Sequence, residues 1–390
     1  MSDSETDGCS LRSNNLPPDI IADVLSRLPV NSLYRFKCVS PSWNSLISSP
    51  YFAQTHFNRT HTNNPNKHIL LHNIVLQSIT QDLYTVDLTA DVPFATKLDL
   101  PSLQPPEAKV LGSCNGLLLF CRTGRSNFFL LNPSTRECKK LPSLPFVLNP
   151  GHGFYSCLYG VGYDSSTDDY KVVMLSYYDE SDPESESESY ALSDTTTVAV
   201  YSLKTNAWRR IQDTQYIHWG MTFGAYFNAC LHWVCRREGS YLIVAFDLAD
   251  EVFREVSLPA SWAEADDEIR KFELEVVGGC LCLVYTIYMP MPSRNRQIEV
   301  WTMEESGVGE PWTKIMTDID GIRPLDLLGL LAENEFVLTA KVQILPGVTD
   351  DKLVVYNHQT GTLTDIVVRG IPTKFSFWGT YVESLLPCLS

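Results

Sequence analysis

Between Leu16 and about Arg59, apolar residues recur at helical spacing in three short runs, each opened by a start signal. Pro18 and Asp19 suit the first turn of a helix, where a missing N–H is tolerated and a negative charge is favoured. Ile20, Ile21, Val24, Leu25 and Leu28 follow as an apolar stripe. Pro29 breaks that helix. Leu33, Phe36 and Val39 form a second run at i, i+3, i+6. A third opens with Ser40 as N-cap and Pro41 at the first helical position, with Trp43, Leu46 and Ile47 on its buried face. Three helices in about 40 residues cannot enclose a sufficient core, so part of this apolar surface meets a partner or caps the next domain.

Residues 60–68 (THTNNPNKH) read as a polar, turn-rich linker, and beyond them the periodicity changes. Short runs rich in Val, Ile, Leu, Tyr and Phe alternate with turn residues, without a long helical stripe. Six segments share one form, an apolar strand, a polar turn and a shorter strand: 83–98, 128–141, 198–211, 243–256, 298–315 and 353–366. Five of these are preceded by an apolar run with a tight turn, at 111–120, 159–175, 224–234, 276–285 and 328–338. Asn115-Gly116 and Gly278-Gly279 are two-residue hairpin signals. Four strands per repeat is the pattern of β-propeller blades, which bury their faces against one another. The first repeat lacks an inner strand of its own, and the run 375–387 is left over; it is expected to complete the first blade and close a ring of six. Trp208 and Trp312 recur after the third turn, where such rings bury large aromatics between blades.

Composition adds constraints. With 44% hydrophobic residues over 390 positions, the chain suits a small module and one large packed domain. The polar, acidic residues 1–15, expected to be disordered, lack the basic and apolar regions of a secretory signal, and no run approaches a membrane span. A nuclear or cytoplasmic location follows as an expectation. The eleven cysteines are scattered, several within apolar strand-like runs, and no C-x-x-C pair occurs, so they read as small core hydrophobes rather than disulfide or zinc ligands. Net charge is −16, while residues 1–60 hold five basic and five acidic residues, so the excess lies in the large domain. Such a surface disfavours nucleic acid and suits a basic or neutral protein partner.

Candidate catalytic patterns give way to structural readings. Gly112-x-Cys114-x-Gly116 mimics a nucleophile elbow, but that elbow needs a following helix, and Leu117 to Phe120 read as a strand. Gly160-x-Gly162 lacks a third glycine and a helix. The eight histidines are dispersed, and no cofactor or metal site is indicated. Residues 179–194 carry seven carboxylates and no Lys or Arg, the composition of a disordered acidic insertion. Longer connections at 145–157, 212–222, 258–270 and 286–297 place aromatics in loops on one face of a propeller. Phe154, Tyr155, Tyr216, His218, Trp219, Trp262, Tyr288 and Met289 are therefore the candidates for binding a target protein, with loop packing as the alternative for each.

The first 60 residues closely resemble an F-box, through Leu16-Pro17, Ile21, Leu25, Leu28-Pro29-Val30, Leu33, Val39-Ser40, Trp43 and Leu46-Ile47. The repeats resemble the plant F-box-associated, kelch-like domain. The residues that carry this are 112–117 (GSCNGL), 131–136 (LNPSTR), Gly162-Tyr163-Asp164 with 169–173 (DYKVV), 200–203 (VYSL) with Trp208, and Leu231-His232-Trp233. The two resemblances imply an α+β multidomain chain: a three-helix F-box at 16–59, the linker 60–68, and an all-β propeller of six four-stranded blades at 69–387. They also imply a non-catalytic subunit of an SCF-type cullin-RING ubiquitin ligase. In it the F-box docks a Skp-type adaptor, and through it cullin, while the propeller binds a target protein. Leu16, Pro17, Ile21, Leu25, Leu28, Pro29, Val30, Leu33 and Trp43 would then supply the adaptor contacts, and Leu28, Pro29 and Leu33 should not all be sealed by the chain itself. The alternative is a propeller scaffold without a degradative role, the helices serving as a cap.

Overall fold

The computed structural model of the chain describes residues 16–63, 67–73, 83–88, 90, 92–98, 109–121, 127–145, 154–179, 192–218, 223–259, 270–288, 296–303, 312–317, 323–332, 334–345, 348–371 and 375–388. It opens with four helices, not three: α1 (Pro18–Leu25), α2 (Val30–Phe36), α3 (Pro41–Ile47) and α4 (Pro50–Asn63). Pro18 occupies the first turn of α1, and the Ser40 hydroxyl caps α3 by accepting from Trp43 N at 3.2 Å. The unexpected α4 uses the same device. Ser49 precedes Pro50, and its Oγ accepts from Phe52 N at 3.2 Å. Residues 60–63, expected as linker, are the last turn of this helix. Phe52, Ala53, His56 and Phe57 give α4 a buried stripe.

Among the described residues the strands form six antiparallel four-stranded sheets. β1 (Lys67–Asn73), β2 (Leu83–Asp87) and β3 (Ala95–Lys97) belong to the first. The second holds β4 (Lys109–Cys114), β5 (Leu117–Cys121), β6 (Phe128–Asn132) and β7 (Glu137–Lys140). β8 (Phe154–Asp164), β9 (Asp169–Asp179), β10 (Leu192–Ser202) and β11 (Ala207–Arg210) make the third. The fourth is β12 (Ala225–Phe227), β13 (Cys230–Arg237), β14 (Ser240–Asp247) and β15 (Phe253–Val256). β16 (Arg270–Val277), β17 (Cys280–Tyr288), β18 (Arg296–Met303) and β19 (Thr313–Thr317) form the fifth, and β20 (Arg323–Ala332), β21 (Glu335–Leu345), β22 (Val348–Asn357) and β23 (Thr362–Ile366) the sixth. The last strand, β24 (Phe375–Val382), returns to pair with β1, from Asn73↔Phe375 to Lys67↔Val382. The inner strands β24, β4, β8, β12, β16 and β20 neighbour one another in that order and back to β24. Strand structure stops at Val382, short of the expected 387; residues 383–388 leave the sheet.

Sheets pack through their apolar faces. Trp208 of the third sheet and Trp312 of the fifth are buried, and their indoles donate to Pro142 O and Ser257 O, each at 2.8 Å, on the segment leaving the preceding sheet. Gly160 and Gly162 on β8 let the fourth sheet approach: a Cβ on Gly162 would lie 2.5 Å from Leu248 Cδ1. Because the strands within each sheet are antiparallel, the turns joining first to second and third to fourth strands share one end of the propeller. The hairpins between second and third strands and the sheet-to-sheet connections share the other. The helices sit at the short-turn end. Tyr34 of α2 donates its hydroxyl to Thr135 O, in the β6–β7 turn, at 3.1 Å, and Leu33, Ile47 and Phe52 join one apolar cluster with Leu117, Leu130 and Leu386.

Candidate functional site

The helical head separates its apolar residues into two sets. Leu25, Val30 and Leu33, expected on the docking face, are 2%, 1% and 0% exposed. They are core. Leu25 ends α1 and Val30 and Leu33 lie on α2, all three packed inward in one cluster with Ile47 and Phe52. Ile21, Leu28 and Trp43 are half-buried against the same cluster, the Trp43 ring standing edge-on to Phe36 at 5.6 Å. Pro17 and Pro29 are exposed. Leu16, Ile20 and Val24 are 61%, 48% and 51% exposed, and Val39 and Tyr51 also stand out into solvent. Thus Leu33 is sealed while Pro29 stays open. Ile20, Val24 and Val39 belong to the apolar pattern of the sequence; only packing shows that they face outward.

This surface rests on a fixed frame. Arg59 of α4 donates to Asp23 O at 3.1 Å and Ser26 Oγ at 2.7 Å, and pairs with the Asp23 carboxylate at 2.6 Å, placing a cation at the C-terminal end of α1. His56 Nε2 donates to Leu28 O at 2.8 Å, which fixes the turn before Pro29. Burial pushes the His56 pKa down, so the ring is neutral.

The sequence-expected target residues do not gather into one site. Phe154 and Tyr155 are strand residues at the start of β8, paired with Asp179 and Tyr178, and Tyr288 ends β17 opposite Arg296. The local apolar run there extends the strands further than its turn residues indicate. Tyr216 donates its hydroxyl to Glu255 at 2.9 Å and its ring lies 5.8 Å from Phe253. His218 Nδ1 lies 3.1 Å from Val234 O, and burial pushes its pKa down to about 4. Both are held by the chain's own fourth sheet, although they lie on a connection at the long-loop end. Trp219, Trp262 and Met289 lie outside the described residues. Of the acidic stretch 179–194, Asp179 ends β9 and residues 192–194 begin β10; positions 180–191 lie outside the described residues.

Cys114 is buried on β4 just before the Asn115-Gly116 hairpin turn, and burial raises its thiol pKa well above the usual range, the opposite of an activated nucleophile. At the hub a cavity of about 110 Å³ is lined by Val110, Ser113, Ala225, Leu274, Glu275 and Thr380, from the inner strands of four sheets. Among the described residues no group of three or more His, Cys, Asp or Glu side chains is placed to hold a metal ion, and no helix is long and apolar enough to cross a membrane.

Comparison with known proteins agrees with this division. The F-box domain profile matches residues 13–55, and the profile described as F-box associated beta propeller domain matches residues 67–388. The chain is a plant F-box protein. Its relatives include the F-box protein CPR1 of Arabidopsis thaliana, 30% identical over 378 residues covering 93% of this chain and 86% of that one. An F-box/kelch-repeat protein of Arabidopsis thaliana is 28% identical over 336 residues, covering 80% and 82%. Among solved structures, an oligogalacturonate lyase aligns over 78% of this F-box protein and 80% of its own chain, at 13% identity and a TM-score of 0.39.

Proposed function

We propose that this F-box protein is the substrate-recognition subunit of an SCF-type cullin-RING ubiquitin ligase. Proteins that join an F-box to this propeller are generally adaptors of that kind. The head, over 16–59, docks a Skp-type adaptor and through it cullin; the propeller, over 69–387, reads as one closed wheel of six blades and holds a protein target. Catalysis belongs to other subunits: the chain acts by proximity, raising the effective concentration of a target lysine near the charged ubiquitin carrier. The acidic propeller suits a basic or neutral target, which is then degraded, and the site of action is the nucleus or cytoplasm.

The observation that carries this reading is the exposed apolar series Leu16, Ile20 and Val24 on a head whose interior is already filled. Side chains of that size, two on α1 and one just before it, are costly to leave wet unless a partner covers them. Docking is therefore assigned to Leu16, Pro17, Ile20, Val24 and Pro29, with the half-buried Ile21, Leu28 and Trp43 at the margin. Leu25, Val30 and Leu33 support that face from behind. The head stands at the short-turn end, which leaves the long-loop end, with Tyr216 and His218, for the target.

Purified Ile20→Asp/Val24→Asp protein should bind a purified Skp-type adaptor at least about ten-fold more weakly, with an unchanged circular dichroism spectrum. Unchanged affinity would remove the adaptor reading. It would favour the second one, a non-degradative scaffold with the helices as a cap, which the apolar cluster shared by the head and the second sheet supports.

A further inference from the structure

Residues 383–388 leave the first sheet and cross the short-turn end of the second. A Cβ on Gly116 would lie 2.4 Å from Ser384 Cβ and 2.7 Å from Val382 O, so the segment runs directly over the β4–β5 turn. The Asn132 carboxamide, fully buried, holds it there: Nδ2 donates to Ser384 O at 2.9 Å and Leu386 O at 2.8 Å. Two further bonds come from the β6–β7 turn and the start of β7, where Ser134 Oγ accepts from Ser384 N at 3.3 Å and the Glu137 carboxylate accepts from Cys388 N at 3.2 Å.

The same turn holds the head. Asn132 Oδ1 accepts from Ser134 N at 2.9 Å and Thr135 N at 3.2 Å, and the Thr135 carbonyl in turn takes the Tyr34 hydroxyl. Leu385 and Leu386 are buried in the apolar cluster that contains Leu33 and Phe52 of the head. One saturated side chain thus fixes the turn that receives α2 and the segment packed alongside.

We infer that residues 383–388 form an internal seat that sets the orientation of the helical head on the propeller, with Asn132 as its positioning residue. The segment and the head belong to one apolar cluster and are both held at the β6–β7 connection. A buried amide with all four of its bonds made specifies a single arrangement, since any displacement leaves polar groups unpaired in an apolar setting. The head is therefore mounted rigidly, and its mounting depends on residues more than 300 positions away from it in the chain. This inference is independent of the adaptor reading.

Hydrogen exchange measured by mass spectrometry on the full chain tests it. Leu386→Ala keeps every bond named above and removes only apolar contact; a chain ended after Val382 removes the seat and keeps the last strand. In both, amides of α2 should exchange about ten-fold faster or more, while those of β13 and β14 stay within about two-fold of the wild type. Exchange in α2 within two-fold of wild type in Leu386→Ala would overturn the seat. Where the shortened chain also loosens the second sheet, Leu386→Ala alone decides.

Discussion

The indole of Trp208 donates to the carbonyl of Pro142 at 2.8 Å across the boundary between the third and second sheets, its ring 5.8 Å from Phe128 and 5.3 Å from Tyr201. Hydrogen bond and ring packing act on one contact, and two substitutions separate them. Trp208→Phe should lower unfolding free energy by about 1–2 kcal/mol through the unpaired carbonyl and lost ring volume, and Trp208→Ala by about 3–5 kcal/mol. Urea unfolding followed by fluorescence checks both values.

Lys171 is the buried cation between the third and fourth sheets. Its Nζ lies 2.9 Å from Asp164 Oδ2, 3.0 Å from Glu251 Oε1 and 2.5 Å from Leu248 O. Burial alone would raise the Asp164 pKa, yet bonds from Ser166, Thr167 and Lys171 hold it well below the usual carboxylate range. Lys171→Met leaves the buried Asp164 carboxylate without its cation and should cost about 3–5 kcal/mol, part of which returns when Asp164→Asn is added. A double-mutant cycle in urea measures that return.

Acid should weaken the fold before the carboxylates titrate. Burial pushes His218 and His232 down to about 4, and His56 also below its usual value. Between about pH 6.5 and pH 4 the unfolded chain therefore binds more protons than the folded one, so stability falls as pH falls through that window. The urea midpoint should drop from about pH 7.5 to about pH 5, and His232→Asn should flatten the drop; a midpoint independent of pH across this range would contradict the burial of these rings.

Gly162 has no room for a methyl group. A Cβ there would meet Leu248 Cδ1 at 2.5 Å and Tyr226 Cδ2 at 2.7 Å, so Gly162→Ala should destabilise by about 1–3 kcal/mol. Gly279→Ala is the instructive contrast. Nothing lies within 4 Å of its Cβ position, so its cost comes from a positive φ of 81° alone, and comparing the two melting curves separates crowding from backbone strain.

Much of the propeller is legible in the sequence because its strands are local patterns. The segment 128–141 becomes β6, a turn and β7 because Phe128 to Leu131 are apolar and Pro133 to Arg136 turn the chain. The head is less legible. Ile20, Ile21, Val24 and Leu25 read as one stripe, but Ile21 and Leu25 face inward while Ile20 and Val24 face out, a split that depends on what packs against α1. The Ser49-Pro50 start signal of α4 repeats Ser40-Pro41 and is readable, though obscured by the polar run that follows. Phe154 and Tyr155 read as loop residues because pairing with Asp179 and Tyr178 is a long-range property that their neighbours in sequence do not encode. The path of residues 383–388 depends on Asn132, some 250 positions upstream.

The pairing of β24 with β1 gives the molecule a direction in time. During synthesis the head and the first strands emerge early, but the strand that completes the first sheet is made about 300 residues later, and closing so wide a contact is slow for entropic reasons. Until β24 is made, β1 presents an unpaired strand edge, the feature through which incomplete sheets join one another.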